Sequence, residues 1–318
     1  MCLFPKLVKN RKYVANKKNQ GNVPEADDQR KLYVPIGCGK CMECLKKKSR
    51  EWQVRLNEEI KTDSRGLFVT LSFSDESLQE LQTDIIGLSG YELDNETATK
   101  AVRRFLERWR KKHKKSVKHW LVTELGTQNT ERIHLHGIIF TDFKDDVKQI
   151  WKYGNVYIGD YVNEETIGYI VKYLHKTDPK HKEYKPKILT SKGIGNGYMD
   201  SYNSRLNRYK DSGTDETYRT RTGKRIALPV YYRNNLYNDD ERENLWIEKL
   251  DQNIRWVDGV KIDISESEDE YYKALKYARK LNKRLGYGDD SKNWERIRYE
   301  NQRRAMLIKE RNEKLNNN

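Results

Sequence analysis

RIHLHGIIF, residues 132–140, is an apolar, partly β-branched run in which two histidines alternate with hydrophobic residues, the period of a β-strand. Successive side chains on a strand point to opposite faces. His134 and His136 therefore share one face, about 7 Å apart along the strand, with Leu135 on the other. Two imidazoles so placed close on one divalent cation. Further along, GYIVKYLHK (168–176) reads as a helix that carries Tyr169 and Tyr173 one turn apart, with Lys172 between them. A metal beside tyrosines points to phosphoryl transfer onto a phenol oxygen.

The flanking sequence supplies the rest of a sheet. LFVTLSF (67–73) alternates, with Leu67, Val69, Leu71 and Phe73 on one side and Thr70 and Ser72 on the other. WLVTEL (120–125) is a second strand, and GTQNTE (126–131) is its hairpin loop into the histidine strand. If those two strands pair, Glu124 lies beside the histidines and completes a His, His, Glu set; Gln128 and Glu131 are the other oxygen donors nearby. Nitrogen and oxygen ligands with open positions suit Mg²⁺ or Mn²⁺, and zinc or ferrous iron less exclusively.

In the tyrosine helix, Ile167, Ile170, Val171 and Leu174 fall at i, i+3, i+4 and i+7 and make an apolar ridge. At about 100° per residue the two tyrosines lie on roughly the opposite side. Asn163 is the expected N-cap, with Glu165 and Thr166 in the first turn. The Lys172 ammonium would stabilise phosphate charge or lower a phenol pKa. Other expected elements are helices from Leu45 (Trp52, Leu56 and Ile60 at helical spacing), at about 95–113 and about 144–152, and a strand NVYIGDYV (155–162). Two charged helices, about 239–250 and 266–315, follow. Antiparallel strands with helices inserted between them specify an α+β fold rather than a doubly wound parallel one. The expected division is a Cys-containing segment 1–44, a catalytic domain 45–180, a basic region 181–265 and a charged helical tail 266–318.

A net charge of +15 calls for a polyanionic partner, and 21 tyrosines with 7 tryptophans supply the stacking surface that single-stranded nucleic acid needs. RRFLERWRKKHKK (103–115) adds a helix whose cationic face (Arg103, Arg104, Arg108, Arg110, Lys111 and Lys112) would hold a phosphate backbone independently of sequence, unless it is an ordinary solvated face. No stretch approaches the ~20 apolar residues of a membrane span, so a membrane partner is not expected. Four cysteines and no secretory leader suit a reducing cytoplasm. Cys38, Cys41 and Cys44 form C-x₂-C-x₂-C, and Cys2 is the fourth thiol that a tetrahedral Zn²⁺ site requires; an iron–sulfur cluster and free thiols are the alternatives.

HLH matches the His-hydrophobic-His motif of the HUH endonucleases, and Tyr169-x-x-Lys172 followed by Tyr173 resembles their nucleophile helix. The order CGKCMEC, REWQVRL, FVTLSF, HLHGIIF, YIVKYLHK resembles the replication initiators of small single-stranded DNA phages, the microviruses of gokushovirus type, over roughly residues 1–250. That resemblance implies a five-stranded antiparallel, RRM-like HUH core and rolling-circle nicking at the phage origin in the bacterial host cytoplasm. By the same resemblance His134, His136 and Glu124 hold the metal, and Tyr169 and Tyr173 are alternating nucleophiles, Tyr169 first. No helicase P-loop is present, so a host helicase and DNA polymerase are the expected partners. The rivals are a related plasmid initiator, relaxase or transposase, a binder of single-stranded nucleic acid that cleaves nothing, and a 2-His-1-carboxylate iron oxygenase.

Overall fold

Alternation along five strands sets the architecture. A computed structural model describes residues 2–126, 130–159, 161–291 and 294–317. Its central sheet contains β1 (Gly66–Leu71), β2 (Lys118–Leu125), β3 (Ile133–Phe140), β4 (Val156–Ile158) and β5 (Ile188–Thr190). Every neighbouring pair is antiparallel, in the order β4-β1-β3-β2-β5. The first four strands thus follow the split β-α-β order, as expected from a β-α-β-β-α-β succession.

The helices are α1 (Met42–Thr62), α2 (Asp75–Gln82), α3 (Gly90–His113), α4 (Lys144–Ile150) and α5 (Glu164–Val171). One face of the sheet, with Val69, Leu71, Leu121, Leu125, Ile133, Leu135 and Ile139, packs against α2, α3 and α4. Phe105 and Trp109 of α3 are at most 2% exposed, and burying such a side chain stabilises by about 1.5–3 kcal/mol. The other face, with Trp120, Val122, Ile138 and Phe140, is covered by Leu56 of α1 and by Ile167, Ile170 and Val171 of α5. The period of two therefore gives β1, β2, β3 and β5 a place in two separate cores, while β4 adds Val156 and Ile158 to the first and leaves Tyr157 exposed. Gly137 makes this close pairing achievable: a Cβ there would lie 2.1 Å from the Trp120 carbonyl oxygen.

The chain divides into two compact units that cut across the four consecutive segments expected from the sequence. One comprises Met1–Glu51 and Tyr198–Ser291, the other Trp52–Gly197 and Lys292–Asn318. The long charged helix expected at 266–315 is two helices, Asp269–Arg284 and Trp294–Asn316, one in each unit. The first ends at Leu-Gly-Tyr-Gly (285–288), where Gly286 takes φ +78°, a left-handed cap that a side chain would resist. The strand expected at 155–162 shortens to Val156–Ile158, between Gly154 and Gly159, and Asp160 lies outside the described residues. Residues 127–129 of the hairpin loop, Gln128 among them, also lie outside them.

The second helix of that pair is fixed to the sheet unit by charge as much as by apolar contact. Arg304, fully buried, donates from Nε to Asp94 Oδ2 at 2.7 Å and from Nη2 to Oδ1 at 3.2 Å; Asp94 is 1% exposed. Around it Glu131 accepts from Arg303 (2.6 Å) and faces His181 Nε2 (3.1 Å), and the Tyr91 hydroxyl donates to Glu300 (3.2 Å). Buried charges persist only when paired and hydrogen-bonded in this way. In the other unit, Leu3, Met42, Val257, Ile262, Leu275 and Ala278 form a separate small core.

Candidate metal centre and tyrosine pair

β2 and β3 pair with Glu124 directly opposite His134 and Val122 opposite His136, so the carboxylate and both imidazoles stand on the face that α5 covers. Each ring turns Nε2 to the same oxygen, Glu124 Oε2, at 3.1 Å from His134 and 3.0 Å from His136. The three ligand atoms lie within 4.8 Å of one another. The rings are oriented from behind: His134 Nδ1 faces the Arg132 carbonyl oxygen at 3.3 Å, and His136 Nδ1 the Thr70 hydroxyl at 3.0 Å. The carbonyl only accepts, so it orients the His134 ring from Nδ1 and turns Nε2 to the carboxylate, the usual support of a metal-ligating histidine. Burial alone would raise the Glu124 pKa, but the hydrogen bonds and charge of the two imidazoles hold it down at about 2. Burial lowers that of His136. A carboxylate kept ionised beside a neutral imidazole is the donor set that Mg²⁺ or Mn²⁺ accepts, and the residues fit such an ion.

The tyrosines reach the same place from α5. Asn163 caps this helix by accepting from Thr166 N at 2.8 Å, and Thr166 Oγ1 accepts in return from Asn163 N at 3.4 Å, a reciprocal box. Ile167, Ile170, Val171 and Leu174 are all buried, so the helix cannot rotate on the sheet without exposing its ridge. After Val171 the chain winds into a 3-10 turn, Lys172–Leu174, which carries Tyr173. The Tyr173 ring lies flat on His136, with centroids 4.4 Å apart and planes 1° from parallel. Its hydroxyl donates to the Tyr169 hydroxyl at 2.7 Å. Burial, then that donated hydrogen bond, raises the Tyr173 pKa well above the usual phenol range. Tyr169 itself is 51% exposed. The site thus offers one half-buried phenol against the His136 imidazole and one exposed phenol that receives its hydrogen bond.

Three further placements bear on the residues named from the sequence. Lys172 is exposed, and the ammonium that reaches the carboxylate is Lys176, 3.4 Å from Glu124 Oε1 and 5.9 Å above the Tyr173 ring. Glu131 turns away to Arg303 and His181, leaving Glu124 as the carboxylate. The cationic stripe of α3 lies on the opposite face of the sheet, because Val102, Phe105 and Trp109 dock in the other core. There Arg103 meets Glu96, Arg104 meets Glu80, Lys112 meets Asp146, and Arg108 donates to the Ile150 carbonyl and the Tyr153 hydroxyl; Arg110 and Lys111 are exposed.

Sequence reasoning passed over Phe68. Its ring lies 6.5 Å from His136 and 6.4 Å from Tyr169, with the exposed Tyr157 of β4 on its far side at 6.2 Å. The signal was present: Phe68 and Thr70 have the same parity in their strand, and the register sets Thr70 against His136.

The four cysteines converge in the other unit, with all Sγ atoms within 4.8 Å of one another. Cys2 and Cys41 are 3.9 Å apart, and Cys38 and Cys44 are 4.0 Å apart. Backbone amides point at the sulfurs: Phe4 and Cys38 donate to Cys2, and Cys41 to Cys38. Four ligands 2.3 Å from a tetrahedral centre would be ~3.8 Å apart, so the cluster fits zinc. Among the described residues no helix is long and apolar enough to cross a membrane.

The family model of the replication-associated protein ORF2 (gene 2 protein) matches residues 66–178, which hold the triad and both tyrosines. Over nearly the whole chain (91%, and 92% of the relative) the protein is similar to the replication-associated protein ORF2 of Spiroplasma virus 4, at 27% identity. It is 25% identical to the replication-associated protein VP4 of Bdellovibrio phage phiMH2K and 23% to ORF4 of Chlamydia phage 1, over 58% and 47% of those proteins. No solved structure matches.

Proposed function

Taking the chain as a small single-stranded DNA phage replication initiator, we propose that it begins rolling-circle replication as a metal-dependent, site-specific single-strand endonuclease and strand transferase of HUH type. The observation that carries this reading is the contact of Tyr173 with His136 and, through its hydroxyl, with Tyr169. Neither a structural site nor an iron oxygenase accounts for both these phenols and the +15 charge of the chain.

A phenol is a weak nucleophile at neutral pH, its ordinary pKa being about 10. A divalent cation on Glu124, His134 and His136 would supply charge stabilisation to the non-bridging phosphate oxygens. Tyr169 is the first nucleophile: its oxygen is accessible, its proton passes to solvent, and the Tyr173 hydroxyl donates to the oxygen as it becomes negative. The bond from phosphorus to the Tyr169 oxygen forms as the bond from phosphorus to the DNA 3′ oxygen breaks. That oxygen takes a proton and is left as the 3′-hydroxyl primer for a host polymerase. One phosphodiester replaces another, so joining runs in reverse without ATP. Tyr173 serves the second cut, which releases and closes a unit-length circle. Lys176, rather than Lys172, reaches the Glu124 carboxylate and would be the ammonium beside the phosphate. Single-stranded DNA at the origin is the substrate, the host cytoplasm the setting, and a host helicase the source of unwinding. In the other unit Cys2, Cys38, Cys41 and Cys44 bind a structural Zn²⁺ that ties residue 2 to the start of α1.

The test is a covalent protein–oligonucleotide adduct on a single-stranded origin fragment with Mn²⁺. Wild type should form it; chelator, Glu124→Ala and the double variant Tyr169→Phe, Tyr173→Phe should each abolish it while the fragment still binds. Undiminished cleavage by the double variant would refute the tyrosine chemistry, and binding without any adduct in wild type would leave a mere binder.

A further inference from the structure

The hairpin TYRTRTGKRIA (217–227) holds four cations and no acid in eleven residues. Its strands, Thr217–Arg219 and Arg225–Ala227, pair so that Arg219 stands directly opposite Arg225. Like charges at opposed positions destabilise a two-stranded ribbon, which is marginal on its own in any case. The fold accepts this arrangement and holds the ribbon at its base. Tyr218 is 5% exposed and packs on Tyr198, which stacks on Tyr232 at 4.4 Å. The connecting loop is closed by Thr220 N donating to Lys224 O and Gly223 N to Thr220 O, both at 2.9 Å. Gly223 sits there at φ +80°, as a tight hairpin requires. Arg219, Arg221, Lys224 and Arg225 are all exposed. At the base Glu216 pairs with Arg233 at 2.6 Å and with Lys249, and Asp215 comes within 3.9 Å of Arg225.

We infer that this arginine ribbon is a second DNA-binding element and that its ligand is duplex DNA flanking the nick. Two opposed arginines with a lysine and a third arginine at the tip match phosphates on either side of a groove. A two-stranded ribbon is an element that the major groove, about 12 Å wide, admits. Single-stranded DNA is the poorer ligand because it is gripped by exposed aromatic rings, and the one ring of the hairpin, Tyr218, is buried. The ribbon itself carries no exposed ring; exposed rings occur elsewhere, among them Tyr157 and Tyr169 near the candidate metal centre and Tyr202 and Trp256 in the ribbon's own unit. The inference rests on the reading of the chain as a DNA-processing protein, but not on the tyrosine chemistry.

The experiment compares the full chain with its Arg219→Ala, Arg221→Ala, Lys224→Ala, Arg225→Ala variant on a blunt duplex and on oligo(dT), each across a salt series. Each phosphate contact contributes about 0.9 to the slope of log affinity against log salt, so the variant's duplex slope should be shallower by about 3–4. Between about 50 and 200 mM salt it should lose about a hundred-fold less duplex affinity than wild type. Oligo(dT) binding and adduct formation on a single-stranded origin fragment should be unchanged. An unchanged duplex slope, or an equal loss on oligo(dT), overturns the inference. Lys224→Glu alone repeats the test with one surface change, and should lower duplex affinity only. Duplex binding of this kind by a wild type that forms no adduct would sink the nuclease and spare the ribbon.

Discussion

Removing one oxygen, by Tyr173→Phe, separates the roles of the two phenols. The ring stays stacked on His136 at 4.4 Å, because only the hydroxyl is lost, so the metal centre and the helix ridge are undisturbed. What disappears is the 2.7 Å hydrogen bond to Tyr169. A hydrogen bond to a charged group stabilises by about 1.5–3 kcal/mol, and on the proposed reading the Tyr169 oxygen gains negative charge as its proton leaves on the way to the transition state. The first cleavage should therefore slow by about 10- to 150-fold in single turnover without being abolished. Tyr169→Phe should leave no adduct in that step. The assay is a time course of covalent adduct on a denaturing gel, with enzyme in excess over labelled oligonucleotide at saturating Mn²⁺. If Tyr173→Phe removes the adduct and Tyr169→Phe keeps it, the order of attack is reversed. If Tyr173→Phe cleaves at the wild-type rate, the hydrogen bond between the hydroxyls plays no part in catalysis.

Arg304→Ala should destabilise the sheet unit by about 3–5 kcal/mol in urea titration, because Asp94, 1% exposed, would keep its charge without a partner. Asp94→Leu with Arg304→Met should recover most of that; a loss below about 1 kcal/mol in the single variant would mean that the pair is solvated in solution. Cys41→Ser should lower the zinc content from one ion per chain to none and reduce the melting temperature, and a wild type purified without zinc would refute the assignment. Gly137→Ala should abolish folding or metal binding outright, since its Cβ would fall 2.1 Å from the Trp120 carbonyl oxygen; a soluble variant with normal Mn²⁺ affinity in calorimetry would show that β2 and β3 can separate.

The parts legible in the sequence are those set by short-range periodicity. Alternation in RIHLHGIIF put both histidines on one face, and the hairpin length carried Glu124 to them, because strand register follows once the turn is fixed. The ridge at Ile167, Ile170, Val171 and Leu174 gave the orientation of the tyrosine helix, and all four are buried. Sequence alone was silent where long-range pairing decides. Nothing local distinguishes Lys172 from Lys176: which one meets Glu124 depends on the 3-10 winding after Val171. Nor does the composition of α3 reveal that its arginines face Glu96 and Glu80. The C-terminal segment reads as a mixed-charge helix that packs against the domain or a partner, but nothing local shows that Arg304 is the residue buried, because its partner Asp94 lies 210 positions earlier.

That separation orders events in time. Ribosomes make about 5–20 residues per second, so Asp94 waits about 10–40 s for its counter-charge to emerge. Until then α3 holds an uncompensated carboxylate beneath the surface that the last helix will cover. A truncated translation product keeps the histidines and both phenols but lacks the arginine that pairs with Asp94. Completion of the polypeptide thereby becomes a condition for neutralising that buried charge.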